Sequence, residues 1–148
     1  MANKDNPKRG VEFEGIALKE FAKRGVNLER DLAVEISAGG RKKRLEFDLG
    51  SASPPVLVEC KRHSWTEGGN SPSAKTSVWN EAMYHFSLAP GRFRKILYVL
   101  RTTRGEETLA HHYIRRFEHM VPPGVEIWEY NPVSKLSICT YPKSDDAA

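Results

Sequence analysis

Cysteine is scarce in this chain: Cys60 and Cys139 are the only two, and they stand far apart. That rules out a disulfide framework and any metal site built on cysteine spacing, and it fits a reducing, cytoplasmic setting. Long apolar runs are missing as well, so no segment reads as a bilayer-spanning helix. The opening residues Met1 to Asn6 lead into no apolar stretch, and a signal peptide is not expected. Neither repeats nor low-complexity linkers occur, and no Ser/His or Cys/His arrangement suggests nucleophilic catalysis. What is present is one domain's length, 148 residues, long enough to bury a core without staples. Lys and Arg outnumber Asp and Glu by 23 to 19, a net charge of +4 and a mild bias toward polyanions.

Hydrophobic periodicity divides the chain into nine elements. Residues 1–9 and 144–148 are polar and are expected to be loose, leaving 10–143 as a single domain. Phe13, Ile16, Ala17 and Phe21 fall on one face of a helix from about Val11 to Arg24, closed by Gly25. Asp31 to Ile36 and Arg44 to Leu49 alternate as strands around a Gly39-Gly40 turn. Pro55 to Lys61 is apolar on both faces until its charged end, the pattern of a central strand. Ser71 and Pro72 read as the cap and first residue of a helix buried through Val78, Trp79, Ala82, Met83 and Phe86. A strand at Lys95 to Leu100 follows, then a helix from about Glu106 to Met120 with Leu109, Tyr113, Phe117 and Met120 inward. Val125 to Tyr130 and Leu136 to Cys139 are the last two strands. The order α-β-β-β-α-β-α-β-β implies a mixed sheet between helices, an α/β protein.

The chemistry concentrates between Asp48 and Lys61. Alternation puts Glu59 and Lys61 on one face of their strand, and Asp48 opposite Leu45, Phe47 and Leu49 on its own. Paired neighbours would bring Asp48 and Glu59 together with Lys61 beside them. Charges at the end of a buried strand are costly unless paired or used. Two carboxylates on rigid elements suit a hard cation, and an adjacent ammonium suits a developing phosphorane charge. That is equipment for metal-assisted phosphodiester hydrolysis.

Asp48, a short spacer and Glu59-Cys60-Lys61 on the third strand after a helix resemble the PD-(D/E)XK nuclease superfamily, with Phe47 in place of the motif's proline. The resemblance covers residues 10–104. It implies a restriction-endonuclease-like α/β/α sandwich with an αβββαβ core and Mg²⁺ or Mn²⁺ as cofactor. In it Asp48, Glu59 and the Cys60 carbonyl are ligands, and Lys61 assists attack by water on DNA. Many members carry a helical Glu near the metal, and Glu14, among apolar neighbours, is taken for that role ahead of Glu20. Lys75 falls in a helix's first turn, where the dipole disfavours a cation, and is read as a phosphate contact. Trp65, in the loop His63 to Asn70, can stack on a base or close over the core. Arg41, Lys42 and Lys43 in the hairpin, and Arg92 and Arg94 before a strand, are further phosphate contacts. A second copy or a partner protein would supply specificity. The alternative is a non-catalytic nucleic-acid-binding or accessory subunit on the same scaffold.

Overall fold

A computed structural model describes the backbone of residues 2–65 and 73–143. Its elements are α1 (Ala2–Ala22), β1 (Glu29–Ala38), β2 (Arg41–Ala52), β3 (Pro55–Lys61), α2 (Ser73–Leu88) and β4 (Arg94–Leu100). A two-rung hairpin, β5 (Thr103–Arg104) and β6 (Glu107–Thr108), comes next. Then follow α3 (Leu109–Phe117), a 3₁₀ turn (Glu118–Met120), β7 (Glu126–Asn131) and β8 (Leu136–Tyr141). Six strands form one mixed sheet in the order β1-β2-β3-β4-β7-β8, antiparallel at both edges and parallel through β3, β4 and β7.

Each face of the sheet is covered by helix, which is why β3 and β4 carry apolar residues on both sides. Phe13, Ala17 and Phe21 of α1 pack on Val56, Val58, Ile96, Tyr98 and Trp128. Trp79, Met83 and Phe86 of α2, with Leu109 and Tyr113 of α3, pack on Phe47, Leu57, Leu97, Val99 and Ile127 opposite. The two cores are separated by the sheet alone.

Several elements are set by local chemistry. Gly39 and Gly40 both take positive φ, 58° and 76°, as a two-residue hairpin turn demands. Gly25 (φ 79°) ends α1: its N–H donates to Ala22 O, and the Val26 N–H reaches back to Phe21 O. Those two bonds satisfy carbonyls that the helix end would otherwise orphan, and Val26 closes against the same core as Phe21. Gly50 answers a packing need instead. A Cβ there would stand 2.6 Å from Leu32 Cδ2 and 3.0 Å from the Val56 carbonyl oxygen. Gly50→Ala should therefore destabilise the fold by about 1–3 kcal/mol, read as a lower urea midpoint at unchanged m.

The helices depart from the sequence reading at their ends. α1 starts at Ala2 instead of Val11, taking in residues expected to be loose. Periodicity marks only helical turns that carry apolar residues, and the first turns of α1 have no apolar stripe to show. α3 starts at Leu109, because Glu107 lies in the β5–β6 hairpin and the Thr108 hydroxyl accepts the His111 N–H as the cap. Met120, expected inward, is exposed in the 3₁₀ turn. The Ser71 cap, Pro72, the stretch 66–70 and the tail 144–148 lie outside the described residues.

Candidate active site

The site forms where β2 and β3 part. Their ladder runs from Ala52↔Pro55 to Leu49↔Val58 and stops. The next opposed pair would be Asp48 and Glu59. In place of that rung, Asp48 Oδ2 accepts the Cys60 backbone N–H at 2.9 Å. A side chain thus does what the β2 backbone would have done, and β2 beyond this point pairs with β1 alone.

Strict alternation in β2 does not survive here, contrary to the sequence reading. Phe47 lies in the core under α2, whereas Leu49, two residues on, lies in the core under α1. The irregularity has a visible partner. Asp31, across β1, adopts φ 55°, and the Asp31–Asp48 rung is missing from an otherwise continuous β1–β2 register. A strand that kinks at one residue can re-aim that residue's side chain. Here it turns the Asp48 carboxylate toward β3.

Glu59 points to the α2 side of β3, as do Leu57 and Lys61. It is buried, hydrogen-bonded to the Asp48 carboxyl, and has the Lys61 ammonium 4.0 Å away. Burial first, and the Asp48 charge second, push its pKa up to about 8. Lys61 and the Asp48 backbone N–H pull the other way and are outweighed. Two carboxyl groups this close therefore hold a proton between them at neutral pH.

The donor set fits a hard divalent cation. Both carboxylates supply oxygen, and a cation can take the place of the shared proton. The Cys60 carbonyl adds a third oxygen. In a strand the N–H and C=O of one residue point to the same edge, and the Cys60 N–H points to Asp48. Its carbonyl therefore faces the fork as well, past the end of the β2–β3 ladder. The Cys60 thiol is turned into the α1 side and pushed well up by burial. Among the described residues no three His, Cys, Asp or Glu side chains gather as a metal cluster. The donors in the fork are two side chains and one peptide oxygen.

Glu14 of α1 stands over the fork from the other face. Partial burial and then the Asp48 charge raise its pKa. Arg30 Nη1 lies 2.6 Å from Glu14 Oε1 and opposes that shift. Arg30 was not singled out from the sequence, since nothing in β1's pattern predicts which helix residue it will meet. Glu20 has a different fate: it is buried at the far end of α1, held by the Ser137 hydroxyl and Lys23.

Beside the fork opens a cleft of about 410 Å³, lined by Arg9, Cys60, Lys61, Arg62, His63 and Lys75. Its nine lining residues include four Lys or Arg and no acid, so its field favours an anion. Lys75 reaches this cleft from the first turn of α2. His63 opens the loop that the sequence places beside the site, with no role of its own expected. Its Nδ1 accepts the Trp79 indole N–H at 3.0 Å, so its proton resides on Nε2. Burial, then Lys61 and Lys75, lower its pKa to about 4 and keep the ring neutral. Lys75→Ala should raise the His63 pKa toward its ordinary value, read from the imidazole proton shift in an NMR titration.

The remaining expected contacts divide. Arg41, Lys42 and Lys43 are exposed at the tip of the β1–β2 ribbon, which continues beyond the fork on the site's side. Trp65 is committed inward: its indole donates to Thr102 O, His112 packs at 5.0 Å and the Arg104 guanidinium covers it at 4.0 Å. Arg92 and Arg94 are at the wrong end of the sheet. Arg94 pairs with Val56, five residues or about 17 Å before Lys61 along β3. Arg94 is also bound to Glu126 through two hydrogen bonds, and Arg92 lies over the Phe93 ring. Sequence proximity to a strand start misplaced both, because β4 runs parallel to β3. No protein-family model and no curated protein matches this chain.

Proposed function

We propose that this chain is a divalent-metal-dependent nuclease that hydrolyses DNA phosphodiesters, on a restriction-endonuclease-like scaffold. One observation carries the reading: Asp48 crosses the open end of the β2–β3 ladder to the Cys60 N–H, beside Glu59 and with Lys61 on the same face. An accidental ion pair at a strand end would leave two carboxyl groups free to separate. This arrangement drives them together at the cost of a raised pKa.

Asp48, Glu59 and the Cys60 carbonyl would hold Mg²⁺ or Mn²⁺. Bound there, such an ion supplies a Lewis acid for the phosphoryl oxygen and an acidified water at neutral pH. The protein's own groups do the rest. The Lys61 ammonium, held near Glu59, orients the attacking water and offsets charge gathering on the phosphate. Arg9, Arg62 and Lys75 seat the phosphodiester backbone in the cleft, and His63 offers a neutral Nε2–H there. Glu14, tethered by Arg30, adds negative charge on the opposite side of the fork. DNA as the substrate rests on the family resemblance. One such centre cuts one strand, and a double-strand break would take a second copy or a partner protein.

The test is supercoiled plasmid and single-stranded DNA incubated with Mg²⁺, Mn²⁺ or EDTA. Nicking with either ion and none in EDTA is the expected result. An inert protein that also gives no calorimetric Mn²⁺ binding would sink the proposal, and DNA retained equally well in EDTA would favour an accessory subunit.

A further inference from the structure

A second cleft, of about 720 Å³, lies on the α3 side between that helix and β7–β8, away from the basic cleft. Its volume is in the range of small-molecule sites. Ile114 of α3, Ile138 of β8 and Tyr141 form its walls. Glu129 of β7 lies deep in it and is 1% exposed. A carboxylate buried among core strands needs hydrogen-bond donors. Glu129 Oε1 has one, the Thr140 hydroxyl at 2.5 Å, while Oε2 has none. The other acid here, Glu118, accepts the Tyr141 hydroxyl. At the exposed mouth stand Arg101 and Lys143, with no ion pair to either acid among the described residues.

The cleft thus asks for three things in order of depth: an N–H donor, a flat apolar body and an anionic end. We infer that it binds a nucleotide whose base carries an exocyclic amino group, the amine on Glu129 and the phosphate on Arg101 and Lys143. Cytosine, adenine and guanine present such a donor. Uracil offers an N–H only between two carbonyl oxygens, which the carboxylate repels. The ligand's source is either a free nucleotide or a base extruded from a strand. Glu129, Val99 and Lys61 lie in one row across β7, β4 and β3, so the pocket is about 10 Å from the fork across two strand spacings. The inference stands without nuclease activity, since it uses none of the fork's residues.

The experiment is calorimetric titration of the full chain, in EDTA, with CMP and with UMP. CMP should bind about tenfold more tightly, the worth of one good hydrogen bond to a charged group. Glu129→Gln, which can donate as well as accept, should erase that preference. Ile138→Trp at an exposed edge position should fill the cleft and abolish both affinities without unfolding the chain. Asp48→Ala should bind CMP as wild type does, which separates this inference from the nuclease reading. Oligo(dC) binding at least tenfold tighter than CMP, with its preference over oligo(dT) lost in Glu129→Gln, assigns a strand-borne base. Oligo(dC) binding no tighter than CMP assigns a free nucleotide. Equal CMP and UMP affinity in wild type, a preference that survives Glu129→Gln, or no binding of either nucleotide would overturn it.

Discussion

Lys61→Ala is expected to lower metal-supported DNA nicking by about 10²- to 10³-fold while leaving Mn²⁺ binding in place. The separation follows from where the side chain sits. Lys61 contributes no oxygen to the fork, and its ammonium lies 4.0 Å from Glu59, too far for a tight ion pair. Its removal takes away one influence that lowers the Glu59 pKa, so the two carboxyl groups grip their proton more firmly and metal binding weakens only modestly. Asp48→Ala should behave differently. It removes a ligand and the acceptor for the Cys60 N–H at once, so calorimetric Mn²⁺ binding and nicking disappear together. Single-turnover nicking rates and Mn²⁺ titrations on both variants read the difference. If the Asp-Glu-Lys group were only a structural charge cluster, Lys61→Ala would lower the melting temperature and leave any phosphodiester cleavage at the wild-type rate. That outcome would remove Lys61 from the chemistry.

The parts of this fold legible in the sequence are those in which local preference and burial agree. Phe13, Ala17 and Phe21 announce the packed half of α1, and Pro55 to Val58 announce a strand covered on both sides. Gly25 and the Gly39-Gly40 pair mark backbone positions with positive φ, so their meaning is local and survives without tertiary information. The sequence says less where a helix carries no apolar stripe, as in the first turns of α1, or where two rungs of hairpin replace expected helix, as at Glu107.

The candidate site divides along the same line. Glu59 and Lys61 could be read because they interrupt an apolar strand. Asp48 could be named, but not how it reaches β3: that depends on the broken rung opposite Asp31, a property of two strands together. Arg30's contact with Glu14 spans sixteen residues and a change of element, beyond any spacing rule. Arg92 and Arg94 show the reverse error, since being basic and adjacent to a strand says nothing about which end of the sheet they occupy. Glu129 was readable and was missed. It alternates with Val125 and Ile127 on a buried face, the same signal that exposed Glu59.

Glu59 should also make the metal-free protein lose stability as pH rises, against the usual acid-denaturation trend. Its folded pKa, about 8, lies above the ordinary carboxylate value of 4.5. Between those values the folded state holds a proton that the unfolded state has released, so stability falls with pH. His63 has the opposite sign: its folded pKa of about 4 lies below 6.5, so its contribution rises with pH until about 6.5. Below pH 6.5 the two slopes oppose each other, and from 6.5 to 8 Glu59 acts without that compensation. In EDTA, urea unfolding of wild type should therefore give a lower free energy at pH 8 than at pH 6.5. Glu59→Gln should abolish that decline and be more stable at pH 8 by about 2–4 kcal/mol. Asp48→Asn, which can still accept the Cys60 N–H, should recover about 1–2 kcal/mol of it by removing the neighbouring charge. Saturating Mn²⁺ at pH 8 should stabilise wild type by about 3 kcal/mol at a hundredfold excess over its dissociation constant, and neither variant by a comparable amount. A wild-type decline no steeper than that of Glu59→Gln would mean that Asp48 and Glu59 do not share a proton. The strongest physical ground for placing a cation between them would then be gone.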